Sequence, residues 1–283
     1  MRTYIDEEAL MKLIQRQGYL DFLRRNRNRP IVKVVSGIRR CGKSTLFRLF
    51  KDELLSEGVK PEQIISINFE ELEYEHLRDY HALYQYILER MQPDQMNYIF
   101  LDEIQHVDQF HRVVDSLFVK EHTDLYITGS NAYFMSSDIA TLLTGRYVEI
   151  QMLPLSFSEF YHSKYDGNQY SLIPAYESYL RESSFPYTQQ LGGEDFDIQE
   201  YLRGLYNTLL LHDVVARLKI NDVTILQDIV RYIMSNIGSL LSPNKIANSL
   251  VSAGRKIDNK TVERYLQGLQ DSLLLYKVNR YDV

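Results

Sequence analysis

The sequence predicts an α/β protein with a parallel five-stranded sheet, followed by a helical segment and a small C-terminal domain. Between residues 30 and 155, five short runs rich in β-branched and apolar residues alternate with segments of helical periodicity. Such alternation is typical of a parallel sheet covered by helices. After residue 155 the strand signals stop and helical periodicity continues almost to the end.

Composition narrows the class of protein. The 283 residues are 45% hydrophobic and 25% charged, as in globular proteins, and this length predicts two or three compact units. The longest apolar stretches are too short to span a bilayer, and the acidic N-terminus lacks a signal-peptide pattern. A single cysteine, Cys41, fits a reducing compartment. We therefore expect a cytoplasmic protein with no membrane partner, and the net charge of −6 argues against nucleic-acid binding through overall charge.

The predicted sheet lies within residues 30–155. An N-terminal helix at 7–24, within a first segment 1–29, precedes it and ends before Pro30. The first strand, 31–35, leads into a loop with two glycines and a helix at 43–55. Four more strands and three more helical segments follow. The strands are predicted at 64–68, 98–101, 125–128 and 147–150, and the helical segments at 83–88, 110–118 and 132–143.

The rest of the chain is predicted to be helical. Residues 156–219 form a lid and connector, with a turn at 166–168 and a long helix at 201–219. Residues 220–283 form a separate domain. Its predicted elements are helices at 223–234, 243–250 and 258–269 and a strand at 273–278. Three helices followed by a strand resemble a winged helix.

The loop after the first strand gives the strongest chemical signal. It reads Gly, four residues, Gly, Lys and Ser, which is the pattern of a phosphate-binding loop. Its glycines let backbone N–H groups point at phosphates, and Lys43, at the positive end of a helix, adds a charge for the β- and γ-phosphates. Ser44 offers a hydroxyl to Mg²⁺. The residues predicted to bind the nucleotide are Gly37, Ile38, Arg39, Arg40, Cys41, Gly42, Lys43, Ser44 and Thr45.

Polar residues also follow the third and fourth strands. Asp102 is suited to hold Mg²⁺ through water and Glu103 to polarise the attacking water. Without the loop, a buried strand ending in an acidic helix cap would be the better interpretation. The fourth strand ends in Thr-Gly-Ser-Asn, and Asn131, with Ser130 in reserve, is predicted to lie beside the γ-phosphate. A helix cap explains Asn131 equally well.

Together these motifs resemble the AAA+ ATPase family, and within it bacterial and archaeal proteins that carry a C-terminal domain of uncharacterised function. The segments that carry the resemblance are 36–45, 101–105, 128–132, 143–147, 153–157 and 212–217. The resemblance implies a P-loop NTPase sheet of the ASCE type, a site at its C-terminal edge, and ATP with Mg²⁺ as ligands. Arg146 matches a Gly-Arg-Tyr motif of the family and is predicted to stabilise transition-state charge, within the chain or across a subunit boundary. A surface ion pair is the equal alternative.

Two features depart from the family pattern. Ser183-Ser184-Phe185-Pro186 stands where related chains carry Gly-Gly-Phe-Pro, so the lid contact is expected to differ. Related chains usually continue beyond the position of residue 283 into a further C-terminal domain, so we expect a shortened relative.

The sequence therefore predicts an enzyme that hydrolyses ATP to ADP and phosphate and couples nucleotide state to movement of the lid and the C-terminal domain. The alternative is a slowly hydrolysing switch whose bound nucleotide controls a protein or DNA partner. DNA is a candidate through basic residues around the third C-terminal helix. These residues are Lys245, Arg255, Lys256, Lys260 and Arg264. A homo-oligomer is a candidate assembly.

Overall fold

The structure is a computed structural model that describes residues 13–130, 143, 145–165, 170–191 and 195–279. The chain forms two compact units, Met1–Gln199 and Glu200–Val283. Asn131, the turn predicted at 166–168 and nearly all of the helix predicted at 132–143 lie outside the described residues. Within the described ranges, none of the helices is both long and apolar enough to cross a membrane.

The first unit contains the predicted five-stranded parallel sheet. Its strands are β1 Val32–Gly37, β2 Ile64–Asn68, β3 Asn97–Asp102, β4 Thr123–Ser130 and β5 Tyr147–Met152. The strand order is β2-β3-β4-β1-β5, and every neighbouring pair is parallel. β1 and β3 are buried along their whole length, which explains their nearly continuous apolar runs. The prediction of an α/β fold with this sheet is confirmed.

Helices cover both faces of the sheet. They are α1 Gln17–Asn26, α2 Lys43–Ser56, α3 Tyr80–Leu88 and α4 Phe110–Phe118. On one face, Phe47 of α2 packs edge-on against Phe100, with ring centroids 5.2 Å apart, and Phe100 stacks on Tyr126 at 4.7 Å. A second apolar cluster joins the sheet to α3 and α4, as Leu83 and Leu117 are both fully buried in it. These contacts hold the helices against the sheet, and with them the loop that joins β1 to α2.

The predicted N-terminal helix is wrong over residues 13–16, and its predicted part at 7–12 lies outside the described residues. The helix begins at Gln17, and residues 13–16 have no helical structure. Arg16 is 5% exposed, and its side chain bonds to groups elsewhere in the unit. Because those partners hold the backbone at this point, the apolar spacing of residues 13–16 does not produce a helix.

Three further helices lie after β5. They are α5 Phe157–Tyr165, α6 Leu172–Glu182 and α7 Asp195–Thr208. The long helix predicted at 201–219 is not a uniform α-helix, because α7 continues as a π-helix over Leu209–Ala216. A π-helix takes more residues per turn, and apolar spacing alone does not separate it from an α-helix.

The second unit contains α8 Val223–Met234, α9 Pro243–Ser252 and α10 Asn259–Asp271. Each helix has an N-cap side chain bonded to its first turn: Asp222, Ser242 and Asp258 accept bonds from backbone N–H groups. The strand predicted at 273–278 is wrong, since residues 273–279 form turns and loop. The described residues of this unit include no other strand with which it could pair, so the wing of the expected winged helix is absent from them.

Candidate nucleotide site

The loop between β1 and α2 depends on its two glycines. Gly37 has φ 153°, and a Cβ built on it would lie 2.2 Å from the backbone oxygen of Met152 on β5. Gly42, the N-cap of α2, has φ 105°, a conformation that side chains rarely adopt. Any other residue at position 37 would push β5 away or distort the loop. The Gly-x4-Gly spacing therefore reflects a backbone requirement.

Lys43 lies inside the loop at the start of α2 and is 4% exposed. Its Nζ donates to the carbonyls of Gly37 and Ile38, at 3.3 Å each, and lies 3.2 Å from Oε1 of Glu103. Burial alone would lower the pKa of Lys43, but Cys41 and Glu103 outweigh burial, and the pKa is raised. Lys43 is thus a buried cation at the C-terminal edge of the sheet.

Asp102 and Glu103 end β3 beside this cation. Asp102 is 7% and Glu103 5% exposed. The hydroxyl of Thr128, on the neighbouring β4, donates to Oδ1 of Asp102 and accepts the backbone N–H of Glu103 at 2.9 Å. Glu103 has φ 55°, a left-handed conformation that is uncommon for a residue with a side chain. This turn carries its carboxylate to Lys43.

The two carboxylates have pKa shifts of opposite sign. Burial raises the pKa of Asp102, and hydrogen bonds from Ser44 and Thr128 offset this only in part. For Glu103, burial would raise the pKa, but Lys43 and a hydrogen bond from Gln105 outweigh it, so the pKa is lowered. Glu103 is therefore ionised at neutral pH. The environment of Asp102, by contrast, favours its neutral form.

Ser44 and Asp102 are suited to hold Mg²⁺. Their side chains are hydrogen-bonded to each other, so two hard oxygen donors already lie together. Mg²⁺ prefers few protein oxygens and keeps its remaining ligands as water and phosphate. The site fits this preference, because it offers one hydroxyl and one carboxylate rather than a full cage.

The remaining loop residues differ in exposure. Ile38 and Cys41 are buried, Thr45 is half-buried, and Arg40 is exposed with φ 64°. Burial raises the pKa of the Cys41 thiol, which makes it a passive packing group. Arg39 lies 3.4 Å from Glu70. These five side chains, of Ile38, Arg39, Arg40, Cys41 and Thr45, therefore do not all face one ligand.

Arg146 does not lie at the loop. It precedes β5, and β5 pairs with β1 from Tyr147 at Val32 to Met152 at Gly37. Arg146 is thus at the opposite edge of the sheet, about 20 Å away at 3.3 Å per strand residue. There it forms an ion pair with Asp115 at 3.3 Å and lies over the Phe118 ring at 5.4 Å. A role at its own chain's nucleotide site is excluded by this position, and a role across a subunit boundary stays a prediction.

Thr128 is a site residue that sequence reasoning missed. The Thr-Gly-Ser-Asn segment indicates a site at the end of β4, but the residues predicted from it are Asn131 and Ser130. Asn131 lies outside the described residues, and the buried Ser130 hydroxyl has no hydrogen-bond partner among them. Thr128 lies two residues earlier and faces β3, where it bonds both acidic residues.

A cavity of about 1000 Å³ lies in the same unit as the loop, and none of the residues 37–45 lines it. It is lined by residues from the segment before α1, from α5, and from 186–190. Pro186 connects cavity and loop, because a Cβ on Gly42 would lie 3.9 Å from its Cγ. The cavity is large enough for a nucleoside.

Comparisons with known proteins give family matches and relatives for most of the chain. Residues 29–161 match a family described as AAA domain, and residues 173–283 match a domain of unknown function, DUF8612. The chain is 37% identical, over 274 residues, to a protein of Haemophilus influenzae described as uncharacterised, covering 96% of this chain and 68% of that protein. It is 29% identical over 266 residues to an uncharacterised protein of Methanocaldococcus jannaschii, covering 88% and 57%.

A Walker-type ATPase of Pyrococcus abyssi has a similar fold. Its TM-score is 0.61 at 17% identity, over 92% of this chain and 89% of that one. The phosphate-loop sequence of residues 37–44 is typical of nucleotide-binding proteins. With its parallel sheet, its phosphate-loop sequence and a relative at 37% identity, the chain belongs to the AAA family of P-loop ATPase-like proteins, in a branch with a C-terminal domain of unknown function.

Proposed function

We propose that this chain binds Mg-ATP and hydrolyses it to ADP and phosphate. The observation that carries the proposal is the meeting of Lys43, Ser44, Asp102 and Glu103 at one edge of the sheet. They supply a cation for the phosphates, two oxygen ligands for Mg²⁺ and an ionised carboxylate for water. Phosphoryl transfer to water requires these three functions.

Binding would use the loop and the cavity. The triphosphate would lie against the backbone N–H groups of residues 38–43, at the positive end of α2. The base and ribose would occupy the cavity that Pro186 connects to the loop. Mg²⁺, held by Ser44 and Asp102, would neutralise charge on the β- and γ-phosphates.

Glu103 is the proposed general base. As a water oxygen attacks the γ-phosphorus, the bond to the β–γ bridging oxygen breaks, and ADP leaves with that electron pair. Glu103 accepts the proton of the water. In the structure Glu103 is paired with Lys43 at 3.2 Å. The phosphates compete for Lys43, and that exchange would free the carboxylate of Glu103 to contact water.

The test is Mg-dependent ATP hydrolysis by the purified chain and by Lys43→Ala, Glu103→Gln and Lys51→Ala. Lys51 is the matched control, since it lies on the same helix but bonds to Ser66 at 2.8 Å. We expect Lys43→Ala to lose binding and turnover, Glu103→Gln to keep ATP and lose turnover, and Lys51→Ala to retain both. Unchanged turnover in Glu103→Gln would refute its role as base.

A slow nucleotide switch is the second candidate. Glu103 is held by both Lys43 and Gln105, so the water-activating group is occupied in this structure. If that arrangement persists with ATP bound, turnover is slow and the bound nucleotide controls a partner. Tight ATP binding with hydrolysis near zero in the wild-type chain would favour the switch over the enzyme.

DNA is a proposed partner of the second unit. This unit has 11 lysines and arginines against 8 aspartates and glutamates, a net charge of +3, whereas the whole chain is −6. On and before α10, Lys256, Lys260 and Arg264 are exposed, whereas Arg255 is engaged by Asp228 at 2.7 Å. An exposed basic helix can contact phosphates and base edges.

Duplex DNA retention at rising salt tests this partner. The double variant Lys260→Glu/Arg264→Glu should lose retention and flatten its salt dependence. Lys219→Glu/Lys277→Glu is the control, because it makes the same charge change at exposed positions outside α10. Equal retention by both variants would place the contact elsewhere, and no retention by the wild type at low salt would end the DNA proposal.

A homo-oligomer is the proposed setting for Arg146. Its ion pair with Asp115 is half-exposed, so its guanidinium is accessible to a neighbouring subunit. We propose that it stabilises transition-state charge at the site of that subunit.

A further inference from the structure

Arg16 is a buried arginine whose five N–H groups are all bonded. Nε and Nη2 donate to the two carboxylate oxygens of Glu159, at 2.8 and 2.9 Å. The other three bonds go to backbone carbonyls: Nη1 to Leu153 at 2.6 Å and to Cys41 at 3.2 Å, and Nη2 to Pro154 at 3.2 Å. One side chain therefore joins the segment before α1, the end of β5, the start of α5 and the phosphate loop.

The contact with Cys41 fixes one peptide plane of the loop. A trans peptide is planar, so the N–H of Gly42 points opposite to the carbonyl of Cys41. Because Arg16 holds that carbonyl on its own side, the Gly42 N–H is turned away from Arg16. Gly42 permits this orientation since its φ is 105°. A backbone N–H that already has the bonding orientation contributes more to the free energy of ligand binding than one that must first reorient.

Glu159 connects the same guanidinium to a helix start. Its Oε2 accepts the backbone N–H of Ser156 at 2.8 Å, and the Ser156 hydroxyl accepts the N–H of Glu159 at 3.2 Å. This reciprocal arrangement is a capping box for α5. Tyr19 adds a further tie, because its hydroxyl accepts the N–H of Leu153 at 3.2 Å and its ring lies 4.4 Å from the Arg16 guanidinium.

We propose that Arg16 is a positioning residue of the nucleotide site, which holds the Cys41–Gly42 peptide so that the Gly42 N–H faces the phosphates. This positioning role rests on the proposed nucleotide binding. Through Glu159 the same side chain makes the loop geometry depend on the cap of α5. Nucleotide affinity is therefore set in part by a residue that touches no phosphate.

The chain contains a matched control for this role. Arg24, on α1, likewise donates from Nε and Nη2 to the two carboxylate oxygens of Glu53 on α2, at 2.7 and 2.8 Å. That pair connects α1 to α2, but it makes no hydrogen bond with the loop. Lysine retains the charge at either position but cannot reproduce the planar fork of arginine. Arg16→Lys and Arg24→Lys thus differ in the contact under test.

The experiment measures affinity for a fluorescent ADP analogue and hydrogen exchange of the peptide covering residues 37–46 in the nucleotide-free chain. We expect Arg16→Lys to weaken binding at least tenfold and to speed exchange in that peptide. Arg24→Lys should change binding less than twofold and leave that exchange unchanged. A shared fall in Tm without these two effects is the signature of a merely structural role.

The outcomes separate this proposal from the proposed function. If the wild type does not bind the analogue, nucleotide binding itself fails. If the wild type binds and Arg16→Lys matches it in affinity and exchange, the positioning role is overturned and nucleotide binding stands. Should Arg16→Lys not fold, Glu159→Gln makes the test through hydrogen exchange of the nucleotide-free chain alone, because Glu159 itself lines the cavity proposed for the nucleoside. Faster exchange in the peptide 37–46 is expected, and unchanged exchange overturns the proposal.

Discussion

Replacing Thr128 by valine is the sharpest test of how the two acids are held. Valine keeps the shape of threonine but removes the hydroxyl that donates to Asp102 and accepts from the N–H of Glu103. Thr128 is fully buried and the acids are nearly so. The two buried groups left without a partner cost about 1–3 kcal/mol each, so the free energy of unfolding should fall by about 2–6 kcal/mol.

The loss should appear both in stability and in activity. At about 2–4 °C per kcal/mol for a unit of this size, Tm falls by about 4–24 °C. Removing a residue that orients a metal ligand usually lowers metal affinity or activity about 10- to 100-fold, and we expect the same for Mg-dependent turnover. Thermal unfolding and ATP hydrolysis across a Mg²⁺ titration measure the two effects.

Thr128→Ser is the control, since it keeps the hydroxyl and removes one methyl group, at a cost of about 1 kcal/mol. Its turnover should stay within a few-fold of the wild type. If Thr128→Val and Thr128→Ser have the same Tm and the same turnover, the hydroxyl does not organise Asp102 and Glu103. A fall in Tm alone would leave Thr128 as a structural residue.

Gly37→Ala should lower Tm by more than Gly58→Ala, because a Cβ at 37 meets a backbone oxygen at 2.2 Å whereas at 58 no atom lies within 4 Å; equal losses in thermal unfolding would contradict this. Arg146→Ala should keep nucleotide affinity, and mixing it with Lys43→Ala should recover turnover if subunits assemble; mixtures as inactive as their parts would argue against a shared site. The stability advantage of wild type over Glu159→Gln should be full above pH 4.5 and shrink below it. The reason is that Arg16 and the Ser156 backbone outweigh burial and lower the pKa of Glu159 from its ordinary 4.5; a difference in Tm that is constant from pH 7 to pH 3.5 would refute this.

The parts of the fold that are local in sequence could be predicted. The limits of β2, α4 and α8 agree with the sequence pattern residue for residue, since each is a short periodic run bounded by polar or turn residues. The strand predicted at 273–278 failed because apolar residues alone do not make a strand without a partner to bond with. Periodicity also missed the π-helix at Leu209–Ala216, whose spacing is close to that of an α-helix.

The candidate site was likewise predictable only where its residues are adjacent in sequence. The phosphate loop is recognisable because its glycines, Lys43 and Ser44 are adjacent in sequence. Thr128 and Arg16 act on residues 26 and 25 positions away, and no spacing rule connects them. Lys33 shows the same limit: in sequence it interrupts an apolar strand, but in the structure it is fully buried and paired with Asp124.

The left-handed backbone at Glu103 sets a local strain against a buried ion pair at one position. A side chain costs about 1–2 kcal/mol in that conformation, whereas asparagine and glycine tolerate it better. Asparagine or glycine would relieve that strain but would leave the buried Nζ of Lys43 without the carboxylate 3.2 Å away, at about 3–5 kcal/mol, so the loss would exceed the gain. Random mutagenesis selected only for thermal resistance should therefore leave glutamate at 103, although its turn is strained.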